Sequence, residues 1–127
     1  MVCPRIPVSI GELVDKITIL EIKETRLDGE NRAHARRELE LLRAELAAAG
    51  AAPEPGLLDD LRRVNLALWQ IEDDIREHER RQDFGAGFIA LARSVYRSND
   101  RRAALKARIN GLCGSEIVEV KSYSSYD

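Results

Sequence analysis

Residues 57–75 read LLDDLRRVNLALWQIEDDI and carry the strongest structural signal in the chain. Their apolar members recur at alternating steps of four and three residues: Leu57, Leu61, Val64, Leu68, Ile71 and Ile75. Side chains at these steps share one face of an α-helix. The stretch therefore predicts a long amphipathic helix, over residues 57–81, that packs against other helices through this stripe.

The same spacing predicts three further helices, over residues 9–28, 31–49 and 84–113. Ser9 and Glu12 fit a capping box, in which both side chains bond free amides of the first turn. The loop 50–56 has a Gly at its start and two prolines. Short connections favour neighbouring helices that run antiparallel. The sequence predicts one domain, 1–127, with an all-α fold: an antiparallel up-down bundle of about four helices, arranged as two helical hairpins.

The two ends of the chain are predicted to be extended. Two prolines fall within residues 2–8, and proline disfavours helix at and before its position. Residues 116–123 follow the last helix, and the stretch 117–121 has the alternation of a short strand. We expect this strand to pair with residues 5–8 at one end of the bundle.

Composition excludes several classes of protein. The chain has 127 residues, of which 44% are hydrophobic and 33% charged, so a disordered chain is excluded. The net charge of -2 argues against a general nucleic-acid binder. No apolar run approaches the roughly 18 residues of a membrane span, and the start of the chain lacks the apolar stretch of a signal peptide. A cytoplasmic location is expected.

Metal and cofactor chemistry has no sequence support. Cys3 and Cys113 lie near opposite ends without a CxxC motif, which predicts two free thiols rather than a zinc site. There is no HExxH, Walker or GxGxxG motif. Glu21 and Glu24 form an ExxE pair, but no matching acidic pair stands on another helix. No metal and no cofactor are expected.

Polar side chains interrupt the apolar faces of the first, third and fourth helices. Carboxylates do so on the first and third helices, and cations on the fourth. Because an unpaired buried charge is strongly unfavourable, these groups should meet in an interhelical polar cluster. Its candidate members, which form the candidate ligand-binding set, are Asp15, Lys16, Glu21, Asn65, Trp69, Glu72, Arg76, Asn99, Arg102 and Lys106.

Two interpretations of this cluster stay open. In the first, ion pairs and amides fix the register of the helices. In the second, a pocket between the helices binds a small anion or phosphometabolite. Its donors and its aromatic wall would come from Arg102, Lys106 and Arg76, and from Trp69 or Tyr96. Catalysis there would use Glu72 or Glu21 as a general acid or base.

Four segments carry a family resemblance: residues 11–23 (GELVDKITILEIK), 65–76 (NLALWQIEDDIR), 92–110 (ARSVYRSNDRRAALKARIN) and 120–123 (VKSY). Through them the chain resembles a family of short bacterial proteins classed as a domain of unknown function. The resemblance implies a bacterial source and a helical fold, and it implies no reaction.

The leading functional interpretation is a non-enzymatic helical protein that acts through protein contacts, as a homodimer. Ile19 and Ile22 are expected on the outer face of the first helix, and Leu41 and Leu66 lie off their stripes. The first alternative is the small-anion pocket, with or without catalysis. The second alternative is weak nucleic-acid binding through arginine-rich faces.

Overall fold

The computed structural model describes residues 2–126. Four helices account for most of them: α1 Ile10–Arg26, α2 Gly29–Ala49, α3 Pro55–Arg80 and α4 Ala86–Cys113. Residues 2–126 contain no strand, so the predicted all-α, four-helix fold is confirmed. The up-down, antiparallel order of the helices stays a prediction.

The predicted strand pair between residues 5–8 and 117–121 is wrong. Both segments are extended, but neither forms a β-ladder. The two ends of the chain are joined by a side-chain contact instead: the Ser9 hydroxyl donates to Glu119 Oε1 at 3.0 Å. Alternation alone does not make a strand when no neighbouring backbone is aligned to pair with it.

Local capping explains where two of the helices begin. The Ser9 hydroxyl accepts a hydrogen bond from the Glu12 amide at 3.0 Å, which is half of the predicted capping box. The Glu12 carboxylate forms no return bond and instead binds Lys106. α3 begins at Pro55, two residues earlier than predicted, because the Glu54 carboxylate caps the amides of Gly56 and Leu57.

α1 lies between the other helices. Its backbone comes within 8 Å of α2, α3 and α4, whereas α2 approaches only α1 among the described elements. One side of α1 packs on α2 through Leu13, Ile17, Leu20, Ala35 and Leu39. The other side packs on α3 and α4 through Val14, Leu57, Leu61, Val64, Leu105 and Ile109.

This central position overturns one expectation about α1. Ile22, predicted on the outer face, is only 9% exposed, and Ile19 is half-buried. A helix covered by neighbours on several sides has no apolar outer face. Leu41 and Leu66 are exposed, as their positions off the stripes predict.

The last part of α3, residues 66–80, and the first part of α4, residues 86–97, form what we call the helical arm. Between residues 66 and 104 no residue is buried. The arm's stripe residues are half-buried: Leu68, Ile71, Ile75, Phe88, Leu91 and Val95. The heptad stripe of α3 is therefore a core element up to Val64 and a partly solvated seam beyond it.

Two further features concern residues 2–126. Neither Cys3 nor Cys113 is in a disulfide. None of the four helices combines the length and the apolar character that crossing a membrane requires.

Candidate functional site

The Asp15 side chain is the centre of the polar cluster. Asp15 lies on α1 with 0% of its surface exposed. Arg102 of α4 donates to it through two nitrogens, with Nε 3.0 Å from Oδ1 and Nη2 2.7 Å from Oδ2. The Asn65 amide of α3 adds a third bond to Oδ1 at 2.8 Å. The bidentate contact with arginine and the bond from the amide compensate the buried carboxylate. They also join α1, α3 and α4 at the height of Asp15.

Thr18 extends this contact by one turn of α1. Its hydroxyl accepts from Asn65 Nδ2 at 2.8 Å and donates to the Asp15 carbonyl at 2.8 Å. Thr18 is fully buried, and its bonds leave the Asn65 amide with two partners on α1. The group Asp15, Thr18, Asn65 and Arg102 therefore fixes how α1 is rotated against α3 and α4.

Lys106 is the second centre of the cluster, one turn further along α4. Its Nζ donates to Glu12 Oε2 and to Glu119 Oε2, both at 2.7 Å, and lies 4.0 Å from Asp15 Oδ2. Burial by itself lowers the pKa of Lys106. The hydrogen bonds to Glu119 and Glu12, with the charge of Asp15, outweigh burial and raise the pKa above its ordinary value.

The raised pKa of Lys106 predicts a loss of stability in alkali. A folded-state pKa above the unfolded value makes the ammonium stabilising below about pH 10.4, and this contribution is lost as pH rises through the folded-state pKa. We expect Lys106→Met to reduce the fall in unfolding temperature between about pH 8 and about pH 11, measured by circular dichroism. Lys16→Met, at an exposed lysine of α1, is the control. An alkaline fall in Lys106→Met as large as in the parent would contradict the assignment.

Gly11 brings the backbones of α1 and α4 into contact. Its amide donates to Asn110 Oδ1 at 2.6 Å. A Cβ atom at this position would lie 2.6 Å from the Lys106 carbonyl oxygen, which is backbone and cannot move aside. Because only glycine lets α1 approach this closely, Gly11 sets the distance across which Lys106 and Arg102 reach α1.

Comparison with family models shows the family of the chain but no activity. A model of the family of unknown function DUF6165 matches residues 4–126. The chain belongs to the DUF6165 family. It matches none of the curated proteins or solved structures with which it was compared. The family description names no reaction, and the bacterial source of this DUF6165 protein stays a prediction.

Half of the predicted site residues meet in this DUF6165 protein and half do not. The cluster contains Asp15, Asn65, Arg102 and Lys106, and Asn99 lies beside it, with Oδ1 3.5 Å from Arg102 Nη1. Lys16 is exposed. Glu21 binds Arg62, 3.2 Å away on α3, outside the cluster.

The remaining three predicted residues lie on another surface of the molecule. Glu72 and Arg76 form an exposed ion pair within α3, at 3.1 Å. Together with the half-buried Trp69, they line a surface pocket of 500 Å³ that Arg102 and Asn99 also border. Arg76 and Trp69 therefore share a pocket with Arg102 but not with Lys106, which lines a different pocket with Arg102 and Tyr96, so the three predicted donors do not line one pocket.

Several members of the cluster are not predicted by the sequence pattern: Ser9, Gly11, Thr18 and Glu119. Thr18 follows Asp15 by three residues on the same helical face, which was the available signal. Glu119 lies in a segment without helical periodicity, so no face could be assigned to it. Glu12 was predicted only as a helix cap.

The charges of the cluster nearly compensate one another. Three carboxylates, on Glu12, Asp15 and Glu119, surround the cations of Arg102 and Lys106. Within residues 2–126, every buried polar side chain has a hydrogen-bond partner. Nor do the described His, Cys, Asp and Glu side chains form a group of three that could hold a metal ion. An anion bound between α1 and α4, at the atoms that hold Asp15 and Glu12, would have to displace a carboxylate, which favours the structural interpretation of this cluster.

Proposed function

We propose that this protein acts through self-association, with two copies joined by their helical arms. The observation that carries the proposal is the absence of any buried residue between 66 and 104. An amphipathic helix pair buries its apolar side against a further layer. Within the described chain no such layer covers the arm, and a second copy would provide one.

The α4 side of the arm suits close packing. Ile89 is 55% exposed, and the neighbouring positions Ala86, Ala90 and Ala92 are exposed and small. Small side chains reduce the distance between packed helices towards the lower end of the usual 8–10 Å. Phe84, just before α4, is 47% exposed and packs edge-on against Phe88. This side of the arm therefore exposes apolar side chains, with small residues around Ile89.

Charge supports a second copy as the occupant. Arg93 and Arg97 on the α4 side take part in no ion pair among residues 2–126. On the α3 side, Asp73, Asp74 and Glu79 likewise take part in no ion pair among residues 2–126, whereas Glu72 and Glu77 are paired with nearby arginines. In a two-fold dimer a contact between α3 and α4 occurs twice, so each arm would offer acids to the partner's arginines.

The two alternative functions have less support. The interhelical cluster is internally compensated, which disfavours an anion pocket between the helices. Some arginines are neutralised within the chain, since Arg62 pairs with Glu21 and Asp59, and Arg80 pairs with Glu77. The net charge of -2 gives no overall basic surface of the kind that general nucleic-acid binding uses. A cytoplasmic, non-enzymatic role remains part of the proposal.

Sedimentation at micromolar concentrations tests self-association. We expect a species of twice the 14.3 kDa chain mass. Ile89→Glu should weaken association by at least about tenfold, because a carboxylate would be buried in an apolar interface. Leu41→Glu is the matched control, since Leu41 is 51% exposed on α2 and lies outside the arm.

Two results would contradict the proposal. One is a single 14.3 kDa species up to about 100 μM, where even a weak dimer would be visible. The other is a dimer that Ile89→Glu leaves intact and Leu41→Glu disrupts. Reversal of charge in the double variant Arg93→Glu and Arg97→Glu should also weaken the dimer, and more so at low salt.

A further inference from the structure

The segment after α4, residues 115–126, returns along the helix that precedes it. The Ser115 amide donates to the Asn110 carbonyl at 2.9 Å. Further along, Glu119 binds Lys106, and Lys121 binds Asp100. Near its end the Tyr126 ring packs edge-on against Tyr96, with 4.9 Å between centroids. The contacts move steadily backwards along α4 while the segment moves forwards.

A pocket of 680 Å³ lies between this returning segment and α4. Its volume is within the roughly 300–1,000 Å³ of small-molecule sites. The charged and aromatic groups that line it are Asp100, Arg102, Lys106, Glu119, Lys121, Tyr96, Tyr123 and Tyr126. Each of its three cations also binds a carboxylate: Arg102 binds Asp15, Lys106 binds Glu12 and Glu119, and Lys121 binds Asp100.

Arg102 provides an oriented donor at the edge of this pocket. Its Nε and Nη2 are bound to Asp15, which fixes the plane of the guanidinium group. Its Nη1 makes only a 3.5 Å contact with Asn99. The Arg102 side chain is 29% exposed and lines the pocket, so a ligand there can contact the guanidinium group without breaking the ion pair. Preorganisation of this kind lowers the entropic cost of binding.

The tyrosines give the pocket a second chemical character. The Lys121 ammonium lies 5.5 Å from the centroid of the Tyr123 ring, within the range of a cation–π contact. Tyr123 is 85% exposed and Tyr96 is 40% exposed, so both rings have surface available for stacking. A ligand with a flat ring and an anionic group could stack its ring on a tyrosine and place its anionic group against the cations of the pocket.

We propose that this pocket binds a small phosphomonoester that carries a planar ring. The phosphate lies against Arg102 Nη1 and the Lys121 ammonium, and the ring stacks on a tyrosine. The interhelical cluster keeps its structural role, since Asp15 holds Arg102 in place. The site therefore differs from a pocket between the helices, and its ligand enters between α4 and the returning segment.

Calorimetric titration of the full chain with adenosine 5′-monophosphate tests the proposal. We expect a dissociation constant below about 1 mM, and binding at least about tenfold weaker for adenosine and for inorganic phosphate. Ribose 5-phosphate separates the two parts of the ligand, because it keeps the phosphate and lacks the base. Lys121→Ala and Tyr123→Ala should each weaken binding by about fivefold or more.

Two controls separate a loss of binding from a loss of folding. Lys121 and Tyr123 are exposed, so their variants should keep the parent's circular dichroism spectrum and unfolding temperature. Arg108→Ala removes an exposed arginine of α4 that lies outside both the pocket and the helical arm, and this variant should bind like the parent. The proposal is overturned if neither phosphate ester binds at about 10 mM, or if both pocket variants bind as tightly as the parent.

Discussion

Replacement of Asp15 by alanine is expected to lower the free energy of unfolding by about 3 kcal/mol. The variant removes a fully buried carboxylate, which leaves Arg102 and Asn65 without their shared acceptor and removes a negative charge 4.0 Å from the Lys106 ammonium. Removal of one partner of a buried pair costs about 3–5 kcal/mol. We expect the lower end because Arg102 is 29% exposed and can regain water. Urea unfolding followed by circular dichroism measures the loss.

Glu21→Ala provides the matched control on the same helix. Glu21 and its partner Arg62 are 26% and 42% exposed, so their ion pair is screened by solvent. We expect a loss below about 1 kcal/mol. The double variant Asp15→Ala and Arg102→Met should recover part of the stability, since it also removes the stranded cation. Equal losses for Asp15→Ala and Glu21→Ala would refute the central role of Asp15.

Gly11→Ala is expected to destabilise the protein by about 2 kcal/mol, although alanine normally favours a helix over glycine by about 1 kcal/mol. The new Cβ atom would lie 2.6 Å from the Lys106 carbonyl oxygen and 2.9 Å from Asn110 Oδ1. To relieve this overlap, α1 and α4 must separate, which strains the bonds of the cluster. Thermal and urea unfolding would show a decrease in both midpoints.

Gly111→Ala tests whether the effect of Gly11 is one of contact. Gly111 lies in α4 and a Cβ atom there would meet nothing within 4 Å. The substitution should therefore stabilise the protein by up to about 1 kcal/mol. Opposite signs at the two glycines are the expected result. Stabilisation at both positions would show that α1 and α4 do not approach closely at Gly11.

Periodicity predicts helices well but does not show what covers them. The apolar stripe on α3 continues unbroken to Ile75, yet its last buried member is Val64 because α1 and α2 do not cover the arm. Similarly, the helical wheel predicted that Ile22 faces solvent. Ile22 is buried because α1 packs against three other helices, which the sequence of α1 alone does not show. The alternation at residues 117–121 resembled a strand, but its neighbour at residues 5–8 offers no ladder.

The candidate site was partly predictable for the same reason. Arg102 and Lys106 break the apolar face of the fourth helix, and burial then forces them to find partners. On the first helix the apolar face is interrupted by Glu21 and Glu24, and Asp15 became a candidate only through its height along the bundle. Glu72 also lies at the edge of such a face, but an exposed Arg76 one turn later satisfies it. The angular position of a residue around its helix does not show whether its partner lies on another helix, as for Arg102, or on the same helix, as for Glu72. Gly11 gave no signal, because the absence of a side chain does not indicate which backbone will approach it.

The contact between Asp15 and Arg102 spans 87 positions of the chain, and this constrains the order in which a growing polypeptide can fold. α1 and α2 are made first and can join through Leu13, Leu20 and Leu39. Asp15 must stay hydrated during that time, because its counter-charge has not yet been synthesised. The Lys106 contact with Glu119 is completed later still. During translation the second face of α1 therefore stays open to solvent until α4 emerges, and burial of the carboxylate is among the final steps.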